Sequence, residues 1–209
     1  MADQLTLRRR PTQARSAATF DRILEVAIVL LEEKGWEGFT TNLLAKRAGI
    51  GIQTFYHYFP NKLAVVATLA QQLIAQWKEW FEDVDRFITD RPAQGLSEAF
   101  MFFVTSVKNQ PGGVAIRQAM QVSPVLREMD RKDTRQQAVN FVEAIARKHP
   151  ELNKQELETA MLVSMEAGLA IIDLSFGLPQ KEADNLLKNC IEMQSAFMQK
   201  KFPVMFTAT

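Results

Sequence analysis

Residues 39–62 read FTTNLLAKRAGIGIQTFYHYFPNK, two short helical patterns joined by a glycine-containing turn, which is the sequence form of a helix-turn-helix. Thr40 is placed to cap the first short helix. The free amides of that helix then point outward, a ready site for a phosphate. Leu44, Ala45 and Ala48 face inward, and the two small alanines let the second helix cross closely; Gly49 takes the corner without steric cost. In the second helix Phe55 and Phe59 lie four apart on one face, whereas Gln53, Tyr56 and His57 lie three and four apart on another. One face packs and the other is free to read DNA. Gln53 suits a base edge in the major groove, and the hydroxyls of Thr54, Tyr56 and Tyr58 suit backbone phosphates. Lys62 opens the next helix, where its ammonium and the first amides can both hold a phosphate.

Working outward, the chain has 209 residues, enough for one large domain or two small ones with a sizeable core. Hydrophobic residues at 47% and charged residues at 23% lie near the averages of soluble globular proteins and exclude a disordered or fibrous chain. Twenty-five Lys and Arg against 24 Asp and Glu leave a net charge of +1, so bulk electrostatics does not announce a polyanionic partner. The charge is nevertheless uneven: residues 1–62 hold 9 basic against 6 acidic side chains and the remainder 16 against 18, that is +3 and −2. The single cysteine, Cys190, excludes an internal disulfide framework and a cysteine-rich zinc site, and fits a reducing cytosol. Residues 1–11 carry no apolar run of the kind a signal peptide needs, and the apolar stretch 160–178 is interrupted by Glu166 and Asp173. The expectation is a soluble cytoplasmic protein with no membrane partner.

Helical spacing dominates the whole chain. Phe20, Ile23, Leu24, Ala27, Leu30 and Leu31 follow the i, i+3, i+4, i+7 rule, with Gly35 as a stop signal. Helices are predicted at 13–34, 41–48, 52–58, 61–87, 93–109, 113–121, 124–148, 154–176 and 181–201, separated by Gly and Pro breakers. Strand alternation, hairpin dipeptides and repeats are missing, so the expected fold is all-α: an N-terminal three-helix domain with the helix-turn-helix, and a C-terminal helical bundle.

The segment from about residue 22 to 66 resembles the DNA-binding domain of the tetracycline-repressor (TetR/AcrR) family of bacterial transcription regulators. The resemblance is carried by Gly35 with Phe39, then Thr41, Ala45, Ala48, Gly49 and Ile50, the aromatic pairs Phe55 with Tyr56 and Tyr58 with Phe59, and Lys62. It implies DNA contacts from Thr41, Asn42, Ile52, Gln53, Thr54, Tyr56, His57 and Lys62, with base reading resting chiefly on Asn42, Gln53 and His57. Gly51 stands where the family commonly has a capping serine, a change worth only a few tenths of a kcal/mol. Ile52 either touches a thymine methyl or packs on Leu44.

Elsewhere the residues divide between chemistry and plain structure. His57 and His149 are far apart in sequence with no cysteine at ligand spacing, so neither a metal, a cofactor nor a catalytic site is expected. The Gly49–Ile50–Gly51 run lacks the third glycine and the preceding strand of a dinucleotide loop. Arg8, Arg9, Arg10 and Arg15 form a basic arm that either follows DNA or remains a solvated tail. The acidic cluster Glu79, Glu82, Asp83 and Asp85 reads as a solvated helix face. Trp77, Trp80, Phe81, Phe100 and Phe103, with Met120 and Met165, supply either ordinary core or the wall of an apolar pocket, for which Glu166 and Glu98 are candidate orienting charges.

The resemblance implies a small-molecule effector in that pocket. It also implies that the last two helices pack on their copies in a homodimer; by spacing alone their stripes, from Leu157 to Ile172 and from Leu187 to Phe197, also serve as intrachain core. The resulting expectation places operator binding in residues 1–60 and effector binding with dimerisation in 61–209. Partners would be double-stranded DNA with a pseudo-palindromic operator, a second copy of the chain, and an effector. An effector-independent DNA-binding dimer is the alternative; an enzyme, lacking a nucleophile and base pair, ranks behind both.

Overall fold

The structure is a computed structural model that describes residues 5–81 and 92–206, with side chains described for 5–75 and 94–206. The described residues form nine α-helices and no strand. The first, α1 (Ala14–Gly38), buries the Phe20 to Leu31 stripe that its spacing predicts. Gly35 takes φ +60° and ψ −174°, so the helix breaks where its end is predicted, but one more turn forms beyond the break.

Two short helices follow, α2 (Thr41–Arg47) and α3 (Ile52–Tyr58), turned about Gly49 at φ +65°. Next come α4 (Lys62–Phe81), α5 (Pro92–Asn109), α6 (Gly113–Val122), α7 (Pro124–Lys148), α8 (Lys154–Ser175) and α9 (Gln180–Lys201). A 3-10 turn, Pro203–Phe206, closes the described chain and buries Met205. No periodic signal announces a four-residue turn.

Helix starts carry the side-chain caps that orphan amides require. Thr40 Oγ1 accepts from the Leu43 amide at 3.3 Å, Asn61 Oδ1 from Ala64 at 3.0 Å and Asn153 Oδ1 from Glu156 at 3.1 Å. Thr40→Ala is therefore expected to cost about 1 kcal/mol, read as a lower denaturant midpoint with an unchanged slope. An unchanged midpoint would show that water replaces the cap.

By packing the chain forms two compact units, each with its own core. One comprises Met1–Gln76 and Val107–Met129, the other Trp77–Ser106 and Asp130–Thr209. The functional division expected at residue 60 is thus distinct from the division by packing. In the first unit α4 buries every residue from Ala64 to Ala70. The same unit packs α1 against α6: a Cβ on Gly112 would lie 2.5 Å from Ile28 Cγ2, and the Gly112 amide donates to the Glu32 carboxylate at 3.1 Å. Only glycine fits there, at φ +66°.

The second unit holds two apolar clusters. Phe141, Val142 and Ile145 of α7 meet Leu157 and Met161 of α8, Met198 of α9, and the terminal Phe202 and Met205. Phe100 and Val104 of α5 meet Ile172, Leu187 and Cys190. Cys190 is only 4% exposed, and burial raises its thiol pKa above the ordinary value. Its thiolate is suppressed in the folded state. A disulfide reagent at mildly alkaline pH should accordingly label native protein slowly and denatured protein at once; fast stoichiometric labelling of the native chain would contradict this burial.

Candidate functional site

The helix-turn-helix is built from an aromatic stack. Phe20 of α1 lies parallel to Phe59, ring centroids 5.0 Å apart, and edge-on to Tyr58 at 5.8 Å. Phe55 stacks on Phe59 at 5.8 Å. Phe55, Tyr58 and Phe59 are all buried, so they clamp one side of α3 to α1 and leave the opposite side outward. Tyr58 corrects an expectation: its hydroxyl was assigned to a phosphate, but the ring fills the core, because position 58 follows Phe55 by three and shares its face.

The outward side carries Gln53, Thr54 and His57, all exposed, with Ile52 and Tyr56 half-buried. Asn42 of α2 is exposed beside half-buried Thr41, whose Oγ1 lies 3.5 Å from the Tyr56 hydroxyl, a contact that couples α2 to α3. Half-buried Ile52 both packs and presents apolar surface. Asn42, Gln53, Thr54 and His57 are polar side chains standing exposed on short helices that the aromatic stack holds in place. That combination can exchange hydrogen bonds with base edges.

Lys62 also has partners within the chain. Its Nζ donates to the Trp36 carbonyl at 3.1 Å and stands 3.9 Å from the centre of the Trp36 ring. It therefore fastens the start of α4 to the end of α1 through a hydrogen bond and a cation–π contact, leaving two ammonium protons for other acceptors. Trp36 escaped the sequence reading because its partner lies 26 residues away. Arg47 pairs with Glu33 at 2.6 Å on the surface.

The second unit contains an apolar cavity of about 100 Å³. Phe100 and Phe103 of α5, Phe141 of α7, and Met161, Met165 and Ile172 of α8 supply most of its wall. Its polar groups are Ser164 and Gln194, and Gln194 Nε2 donates to the Ser164 carbonyl at 2.6 Å. Gly168 lies beneath them: a Cβ there would come within 2.5 Å of Gln194 Nε2 and 3.1 Å of Phe100 Cε2. At about 100 Å³ the cavity is smaller than most ligand sites, which usually measure about 300–1,000 Å³.

Of the pocket residues named from sequence, Phe100, Phe103 and Met165 stand on this wall. Met120 does not: it is buried in α6 within the other unit. Glu166 is half-buried and off the wall, as expected of a carboxylate that an apolar lining cannot solvate. The side chains of Trp77, Trp80 and Phe81 lie outside the described residues, as does the acidic cluster from Glu79 to Asp85. Gln194 and Gly168 were visible in sequence only as members of packing stripes.

Those stripes on α8 and α9 turn inward. Leu157, Ala160, Met161, Gly168, Ile172, Leu187 and Cys190 are buried in the chain's own core. Among the described residues other apolar side chains stand exposed: on α8 Val163 at 53% and Leu174 at 55%, with exposed Ala170 between them, and on α9 Met193 at 52%. Val163, Ala170 and Leu174 follow helical spacing on one side of α8.

Among the described residues no helix is long and apolar enough to cross a membrane, and no group of three or more His, Cys, Asp or Glu could hold a metal ion. Residues 23–69 match the model of the family described as bacterial regulatory proteins, tetR family, and residues 90–201 match that of the tetracyclin repressor-like C-terminal domain. The HTH-type transcriptional regulator EthR of Mycolicibacterium smegmatis is 33% identical over 107 residues, 51% of this chain and 49% of that protein. The chain thus matches about half the length of this relative. Among solved structures, SmeT, the repressor of the Stenotrophomonas maltophilia multidrug efflux pump SmeDEF, aligns with a TM-score of 0.67 at 18% identity, over 87% of this chain and 90% of that one. A complex of SmeT with triclosan aligns with a TM-score of 0.63 at 19% identity, over 86% and 90%. At such identities the likeness is one of fold.

Proposed function

The chain belongs to the tetR family of bacterial regulatory proteins, and on that premise we propose that it is a homodimeric transcriptional repressor, released from its operator by a small, largely apolar effector. The observation that carries the reading is α3: aromatic residues anchor one side, and Gln53, Thr54 and His57 stand exposed on the other. Asn42, Gln53 and His57 are its base readers, and Thr41, Ile52, Thr54, Tyr56 and Lys62 its flanking contacts. Residues 1–60 carry operator binding, and 61–209 carry effector binding and dimerisation. A regulator of bacterial transcription acts in the cytoplasm.

The exposed row Val163, Ala170 and Leu174 of α8, with exposed Met193 on α9, supports pairing of these helices with a second copy, since exposed apolar rows mark association sites. A two-fold dimer presents two copies of α3 to one side of the duplex, which requires half-sites about 34 Å apart and an inverted repeat. The cavity lined by Phe100, Phe103 and Met165 is the effector site, and the triclosan complex of SmeT supports a small molecule as effector. Trp77, Trp80 and Phe81 are proposed for the same site on their sequence pattern alone. Release is a population shift: effector favours a spacing of the two α3 helices that no longer fits adjacent grooves. Helix α4 has Lys62–Gln76 in the first unit and its remaining residues in the second, and we propose it as the route of that shift.

Selection of sites from randomised duplex DNA tests this directly. An inverted repeat is expected, and Gln53→Ala and His57→Ala should each relax preference at one or two positions per half-site by about 1–3 kcal/mol. Failure to enrich any sequence, before and after removal of co-purified small molecules by denaturation and refolding, would overturn the reading. The modest cavity volume favours one second reading, an effector-independent dimer. Operator affinity unmoved by a library of small apolar molecules would establish it.

A further inference from the structure

Ahead of α1 the chain is fastened to the far end of α3. The Arg8 amide donates to the Tyr58 carbonyl at 2.9 Å, and its guanidinium donates to the Tyr56 carbonyl at 3.2 Å. Both carbonyls belong to the last turn of α3, where no further helical turn can satisfy them. The guanidinium also meets the negative end of the helix dipole. At its other end the strap is fixed as α1 begins: the Gln13 amide donates to Ser16 Oγ at 3.4 Å, and the Ser16 hydroxyl donates to the Gln13 carbonyl at 2.9 Å. Residues 9–12 are therefore held between two anchors.

On this strap Arg9 and Arg10 are exposed, and with His57 across from them they line a groove of about 190 Å³. Among the described residues neither arginine is hydrogen-bonded or ion-paired. Two unneutralised guanidinium groups thus border the outward face of α3. Any duplex lying along that face brings its phosphates to the same edge. A strap tied at both ends has lost its freedom before binding, so little ordering accompanies the contact. The same tethering prevents the deep reach that minor-groove arms make.

We infer that Arg9 and Arg10 are DNA-contacting residues, each taking one operator phosphate at the edge of the major groove that α3 enters. The inference rests on the DNA-binding reading above. Its test uses the full chain and the selected operator, with affinity measured by fluorescence anisotropy across a salt series. Arg9→Ala with Arg10→Ala should lower the slope of log K against log salt by about 2, at roughly 0.9 per lost phosphate, and weaken binding about tenfold per contact near 0.1 M salt. The base preference and helix signal should stay as they were, and Arg9→Lys with Arg10→Lys should keep most of the slope.

A double alanine variant with the wild-type slope would overturn the assignment. Loss of flanking A·T preference with no change of slope would move the arginines into the minor groove and overturn it as well. If the wild-type chain itself enriches no sequence, it is the DNA reading that fails, so the two failures are distinguishable.

Discussion

Replacing Phe59 with alanine is expected to cost about 3–5 kcal/mol, the range for emptying a buried phenylalanine site. Phe59 is fully buried, parallel to Phe20 and Phe55, at the hinge between α3 and α4. Its loss opens a void that the stack cannot collapse, because Phe20 is fixed by α1 and Phe55 by α3. Against a typical total of about 5–15 kcal/mol, the variant should unfold at a much lower urea concentration and lose operator binding at temperatures the native protein tolerates. Phe59→Leu keeps most of the volume and should recover more than half of the loss. A midpoint shift worth under about 1 kcal/mol for the alanine variant would mean that the stack does not hold α3 in place.

The second large effect is expected at the exposed face of α8. Val163→Glu combined with Leu174→Glu puts two carboxylates on each copy, opposite their own images in a two-fold interface. Like charges forced together there cost several kcal/mol. Sedimentation should show a monomer with the helix content of the native chain, since both positions are more than half exposed and outside the core. Operator affinity should fall by about 10²–10⁴, the gain that simultaneous engagement of two half-sites confers. A double variant that remains dimeric would place the interface elsewhere and remove the structural basis for the inverted repeat.

Much of this was legible in the chain because the deciding signals are local. Thr40 caps the helix it precedes, Gly49 turns between two adjacent helices and Phe55 lies four residues before Phe59, so spacing and residue type suffice to place them. Tyr58 was misassigned because an amphipathic side chain reads equally as a polar tip or an apolar body; only the position of Phe20, 38 residues earlier, shows which end is used. Trp36 and Lys62 were hidden for the same reason. The stripes on α8 and α9 were recognised as apolar, but a helix with apolar residues on more than one side has two candidate inner faces. Which one turned inward depended on Phe100 of α5 and Phe141 of α7 packing against it. The Arg8 contacts illustrate the limit most clearly, since nothing in a run of arginines tells a solvated tail from one that caps a helix end 48 residues away.

The seat that Gly112 takes against Ile28, with its amide on Glu32, bears on how the protein is made. The compact unit that presents α3 includes Val107–Met129, so the side of α1 that meets α6, at Ile28 and Glu32, has no cover until that later stretch has been synthesised. Nascent chains tend to fold in whole domains as they emerge. Here the first helices must wait on the ribosome for a segment encoded well downstream. A message truncated before that point would yield an aggregation-prone fragment rather than an unregulated DNA-binding module.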